Sequence, residues 1–248
     1  MTATIRFEQG VRSHVGRVRT ANEDAHVARP RDGVWAVADG MGGHLRGEWA
    51  SACVARALRS AVLPDGFDAA VERLAGAVHA ANSEIVAAAA GAGGAIGSTV
   101  AALLIRDGRC AVLWAGDSRV YRHRDGTVTL LTTDHSQVEQ LVAAGLLDRE
   151  QAQDHPLAHV LSRAVGVRAE LALDRVDGEA IAGDVFLLCS DGLSRLVEQT
   201  ELQHVLVDGA PAVVADALIE LALDRGAPDN VTVAVVGCDA TTLIHIGV

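Results

Sequence analysis

STVAALLIRDGRCAVLWAGDSRVYRHRDGTVTLLT, residues 98–132, is the stretch whose reading decides the fold. Four short apolar or alternating runs, STVAALLI, CAVLWAG, RVYRHR and TVTLLT, are separated by Asp-Gly or Gly-Asp pairs. Asp-Gly suits tight hairpins because their central residues adopt positive φ, so the spacing predicts an antiparallel meander. Upstream, Ala50, Val54, Ala57, Leu58 and Ala61 step by three and four, as do Val71, Leu74, Val78, Ala81 and Ile85. Each set puts an apolar stripe on one helix face. Downstream, a short helix begins at Val138, Leu141 and Val142, and Asp148 to His155 is polar and weakly patterned. Strands are expected at Leu171–Val176, Val185–Cys189 and Val231–Gly237, with a helix over about Ala212–Asp224. Strand runs alternating with helix pairs favour α+β layering over a doubly wound parallel sheet.

Composition bounds the rest. The chain has 248 residues, half of them apolar, which suffices for one large core. Net charge is −11 and there is no lysine, which disfavours nucleic acid and anionic membranes as partners and suits a cationic cofactor. Cys53, Cys110, Cys189 and Cys238 form no CxxC pair and read as buried free thiols. The start MTATIRFEQG lacks a basic segment followed by an apolar one, so a cytoplasmic protein without a signal peptide is expected. Ile85–Ile105 carries no charge over 21 residues, long enough for a membrane span. Its centre, GAGGAIGST, instead reads as a loop between a helix and a strand.

Eight Asp-Gly pairs occur. Asp32, Asp65, Asp107, Asp125, Asp177 and Asp208 read as turn residues. Asp39 and Asp191 differ, because each follows an apolar strand, VWAVA and VFLLCS. Asp117 closes CAVLWAG, and Asp229-Asn230 immediately precedes VTVAVVG. Carboxylates at strand ends can converge from distant positions, and their repulsion is relieved by hard cations held through oxygen. In RVRTANEDAH, Arg17 and Arg19 stand just upstream of Glu23 and Asp24. Arginine beside an acidic metal centre suits bidentate grip of a phosphate dianion, while a surface ion pair is the plain alternative.

RTANEDA (19–25), VADGMGGH (37–44) running into GEWAS, GSTV (97–100), WAGDSRVY (114–121), TTDHS (132–136), HPLAHVLSRAVG (155–166), LLCSDGL (187–193) and APDNVTVAVV (227–236) complete the set. In this order they resemble the bacterial metal-dependent serine/threonine protein phosphatases of the PPM, or type-2C, family. The resemblance implies a four-layer αββα sandwich, two antiparallel sheets flanked by helix pairs, over one catalytic domain spanning 1–248. It implies two or three Mn2+ or Mg2+ ions. Asp39 then matches a bridging ligand, the Gly40 carbonyl a ligand of one metal, and Asp191 and Asp229 ligands of the other. Asp117 with Asp191 resembles a third, weaker site. Glu23 and Asp24 match positions that hold metal-bound waters, with Asn230 beside Asp229, and Arg19 matches the phosphate-binding arginine.

The segment from about His135 to Val165 resembles the variable flap beside the site, with His135 and His155 as its anchors. Direct in-line attack by metal-activated water needs no phosphoenzyme, so Cys189 is expected to be packing. Met41 stands where many eukaryotic relatives carry a histidine, which leaves His44 for the general-acid role or for ordering the loop.

The expected substrates are phosphoserine and phosphothreonine proteins, with a cognate serine/threonine kinase as the opposing partner. The short form resembles phosphatases encoded beside a type VI secretion kinase as well as general housekeeping versions. Two rivals are a catalytically silent phosphatase-fold binding module and another two-metal phosphohydrolase. All four strand-end aspartates and Arg19 are present, against the first, and acidity without a basic groove disfavours a nuclease.

Overall fold

Two antiparallel sheets carry the chain, each sorting its side chains by the period of two that a pleated strand imposes. The computed structural model describes residues 5–42, 45–90, 96–148, 151, 155–157, 160–207 and 209–240. Its strands are β1 (Ile5–His14), β2 (Asp24–Arg29), β3 (Val34–Met41), β4 (Gly97–Ser98), β5 (Val100–Arg106), β6 (Arg109–Ala115), β7 (Arg119–Arg124), β8 (Thr127–Leu130), β9 (Asp174–Glu179), β10 (Val185–Cys189) and β11 (Val231–Ala240). Its helices are α1 (Leu45–Ser60), α2 (Phe67–Ala89), α3 (Gln137–Ala143), α4 (Asp191–Ser194), α5 (Gln199–Val205) and α6 (Pro211–Asp224). One sheet runs β1-β11-β10-β7-β8; the other runs β2-β3-β5-β6-β9, with β4 paired to β3.

Alternation divides the core into three layers of contact. In β3, Val34, Ala36 and Ala38 face α1 and α2, while Trp35 and Val37 join the layer between the sheets. In β11, Ala234 and Val236 enter that same middle layer, and Val231, Val233 and Val235 face α4, α5 and α6. The order is helices, sheet, sheet, helices: the expected αββα sandwich, with the second flank built from α6 and the shorter α4 and α5. The buried face of α2, Phe67, Ala70, Val71, Leu74, Ala77, Val78, Ala81 and Ile85, is the stripe that its sequence predicts. Pro211 opens α6, where its fixed φ and missing N–H cost nothing.

Three expectations need correction. The four runs of residues 98–132 do not form one meander, because β5 and β6 pair in one sheet and β7 and β8 in the other. The chain crosses between sheets at Gly116–Ser118, where Gly116 takes φ +117°, a conformation that side chains disfavour. The hairpins themselves fit the sequence, since Asp107-Gly108 and Asp125-Gly126 all have positive φ. The strand expected at Leu171–Val176 lies instead at Asp174–Glu179, so Asp177-Gly178 is strand backbone paired with Ala111 and Cys110, not a turn. Asp208 lies outside the described residues. Of the apolar Ile85–Ile105 stretch, the described part is the end of α2 and the strands β4 and β5, and among the described residues no helix is long and apolar enough to cross a membrane. All four cysteines are buried free thiols.

Candidate active site

The strand order brings together the ends of β3, β6, β10 and β11, so that Asp39, Asp117, Asp191 and Asp229 line one cleft of about 580 Å³. Arg19, Glu23, Gly40, Asn230 and Arg195 line it too. Each acid is held by backbone geometry. Asp24 opens β2 opposite Asp39 of β3. The Asp39 N–H donates to Thr99 Oγ1 at 2.9 Å, and that hydroxyl shares a 2.6 Å hydrogen bond with Ser118 Oγ, next to Asp117. The Gly40 N–H donates to the Glu23 carbonyl at 3.1 Å. A side chain on Gly40 would strike the Gly47 carbonyl at 2.1 Å, so only glycine allows α1 to approach the loop this closely.

Asn230 ties the segment before β2 to β11. Its Oδ1 accepts from the Glu23 N–H at 2.8 Å, and its Nδ2 donates to the Val15 and Ala21 carbonyls, both at 2.9 Å. Arg19 donates to Asp229 Oδ2 at 2.8 Å, and its side chain stays more than half exposed. Arg17 turns away from the cleft and donates to the Leu223 carbonyl in the last turn of α6. His44 lies outside the described residues.

So many acids in one place carry an electrostatic cost. Burial, followed by the charges of Asp191, Asp24, Asp117 and Asp229, pushes the Asp39 carboxyl well above its usual range. Burial and then Asp191 raise Asp117 to about 7. Asp24 also rises to about 7, mainly through burial, although the neighbouring Thr232 and Ser190 hydroxyls act the other way. Ser190 Oγ donates to Asp24 Oδ2 at 2.9 Å, while Asp24 Oδ1 is buried with no hydrogen-bond partner among the described residues. A bare buried carboxylate oxygen amid further carboxylates fits a hard divalent cation and its bound waters. Among the described residues, no three His, Cys, Asp or Glu side chains close into a finished ligand cage. The gathering is looser, with Asp229 held by Arg19 and Asp191 by Arg195.

The far wall of the cleft is formed by residues 160–164 and Val167. Ser98 and Val165 exchange backbone hydrogen bonds at 2.9 and 2.8 Å, and Ser136 bridges to Leu161. His135 anchors this segment. Its ring stacks on Trp114, its Nδ1 accepts from the Gly116 N–H at 3.1 Å, and the proton this leaves on Nε2 points to Asp174 at 3.1 Å. The His155 Nδ1 accepts from the Leu157 N–H within its own turn. Burial pushes the Cys189 thiol up to about 12, so it remains a protonated packing group.

The four strand-end aspartates and Arg19 singled out in the sequence line one cleft. Sequence reasoning missed Thr99, Ser118, Ser190 and Arg195, whose partners lie far away in sequence, except that Arg195 also meets Asp191 one helical turn back. The only signal for Arg195 was its place four residues after Asp191.

A two-sheet sandwich with helices on both outer faces and an acid-lined cleft at the strand ends defines the class of the PPM-type phosphatases. The profile of the family described as Protein phosphatase 2C matches residues 12–218, and the chain belongs to that family. It is 40% identical over 235 residues to the serine/threonine protein phosphatase PstP of Mycobacterium tuberculosis, a match covering 94% of this chain and 45% of that protein. The chain thus spans about half the length of that curated relative. The structure of PppA, described as a key regulatory component of T6SS in Pseudomonas aeruginosa, superposes with a TM-score of 0.88 at 38% identity, covering 95% of this chain and 99% of that one. The catalytic domain of PstP in complex with two manganese ions superposes with a TM-score of 0.84 at 37% identity, covering 95% of this chain and all of that domain.

Proposed function

We propose that this chain is a metal-dependent protein serine/threonine phosphatase that hydrolyses the phosphomonoester directly. The observation that carries this reading is the convergence of Asp39, Asp117, Asp191 and Asp229 with Arg19 on one cleft. Asp39, the Gly40 carbonyl, Asp191 and Asp229 would hold the manganese or magnesium ions, supported by Glu23, Asp24 and Asn230. When bound, such ions activate water and neutralise phosphoryl charge. Arg19, tethered to Asp229 and more than half exposed, can turn its guanidinium onto two phosphate oxygens and orient the ester. Asn230 fixes the segment carrying Arg19 and Glu23 against β11, which keeps that grip in register with the acids. Protonation of the departing serine or threonine oxygen falls to His44. Residues 1–248 form one catalytic domain, with the 135–165 segment as a flap that shapes substrate choice.

The substrates are phosphoproteins, supplied by a cognate serine/threonine kinase acting in the cytoplasm. Similarity to PppA over nearly the whole of that chain supports a role in T6SS regulation. The test is hydrolysis of p-nitrophenyl phosphate and phosphothreonine peptides with and without manganese, beside DNA and nucleotides. Turnover of the phosphopeptides that vanishes with chelator supports the reading. Intact, folded protein without turnover would favour a silent binding module.

A further inference from the structure

Asp117 and Asp191 are each less than a tenth exposed, and they follow the ends of different strands, β6 and β10. Between them lies a cation that belongs to the chain itself. Arg195 Nη2 is bonded to Asp191 Oδ2 and lies 3.6 Å from Asp117 Oδ2. The placement follows from the backbone. Residue 195 ends the single turn of α4, its N–H donates to the Asp191 carbonyl at 2.9 Å, and a side chain four residues on meets the face of the first.

A guanidinium keeps its charge at every working pH and presents several donors in a rigid plane, so it offsets one of the pair's two negative charges without titrating. A divalent ion bridging these two acids would compete with Arg195 for Asp191 Oδ2 and for the space beside Asp117 Oδ2. Two cations side by side there would also repel each other. Arg19 offers a contrast. It sits on the segment before β2, its side chain is more than half exposed, and among the described residues it pairs with Asp229, whereas Arg195 is about one-third exposed and shared by two.

From this geometry we infer that Arg195 is a built-in counter-cation at the Asp117–Asp191 pair, which excludes a third divalent ion and sets the metal complement of this chain at two. The inference rests on the metal-dependent reading above and adds a stoichiometry to it. The third, weaker site implied by family resemblance is then closed in this chain by its own side chain.

The experiment is manganese stoichiometry, measured by equilibrium dialysis against manganese chloride with elemental analysis, on wild type, Arg195→Ala and Arg195→Gln. Arg195→Gln keeps the side-chain length should alanine impair folding. Wild type is expected to hold two ions. Both variants are expected to take up a third, with affinity on the order of tenfold above any residual third-ion binding in wild type. Adding Asp117→Asn to Arg195→Ala should return the count to two. Three ions in wild type, or an unchanged count of two in both variants, overturns the inference. Fewer than two ions in wild type overturns the metal-dependent reading itself, a result distinct from either.

Discussion

Strand β10 has a buried aspartate at each end, and the two are handled in opposite ways. Asp184, just before it, is fully buried and completely satisfied, accepting from Arg124 Nε at 2.6 Å, from Arg124 Nη2 at 2.7 Å and from the Ile181 N–H at 2.9 Å. Asp191, just after it, shares its surroundings with Asp39, Asp24 and Asp117, and among the described residues the arginines paired with cleft acids, Arg19 and Arg195, are fewer than the carboxylates, since Arg163 of the cleft wall pairs with Asp174. The depth of an acid therefore says little about its role. The ratio of acids to cations sets Asp184 apart from the acids proposed to hold a metal.

Breaking the contrast at its strongest point means replacing one acid of each kind. Asp39→Asn is expected to lower manganese-dependent turnover by at least ~10³-fold, while the metal-free protein gains ~0.5–2 kcal/mol of stability because one repulsive charge is gone. Asp184→Asn should do the reverse, costing ~3 kcal/mol by leaving Arg124 without its carboxylate and leaving turnover per folded molecule near wild type. Thermal melts and steady-state assays on both variants check the pair. Near-normal turnover in Asp39→Asn would show that the cleft is not the reaction centre.

The arginines sharpen the same contrast with a smaller effect. Arg19→Ala should raise KM by roughly 10–100-fold, the loss expected for charge-assisted hydrogen bonds to phosphate, with little change in melting temperature. Arg124→Ala should lower the melting temperature and leave KM alone.

His135 gives the smallest test. Burial, outweighing its hydrogen bond to Asp174, lowers its pKa below the ordinary histidine value. The folded protein therefore binds fewer protons there than the unfolded chain, so this contribution to stability is complete above about pH 6.5 and is lost as pH falls below it. In urea titrations His135→Gln should flatten that part of the pH profile, and an unchanged slope would remove His135 as its source.

The interior of the fold was legible in sequence, and its margins were not. β3, β5, β6, β10 and β11 are buried on both faces or nearly so, and their apolar runs announced them. β1, β2 and β9 are edge strands with mixed exposure. The first two went unread as strands, and the third was placed three residues early. Which sheet a hairpin joins is not encoded in its period, so the crossover at Gly116–Ser118 stayed invisible. The acids Asp39, Asp117, Asp191 and Asp229 were legible because each abuts a buried strand. Arg195 was not, since its value depends on Asp117, which lies beside it only after folding.

The Ser98–Val165 bridge gives the cleft a mechanical line. Ser98 is one residue from Thr99, whose hydroxyl fixes the Asp39 backbone, and Val165 is one residue beyond the wall that a bound protein would press. A load on that wall is passed through two backbone hydrogen bonds to the floor beneath the acids. The placing of that wall and the aim of the carboxylates are thus tied to the same stitch.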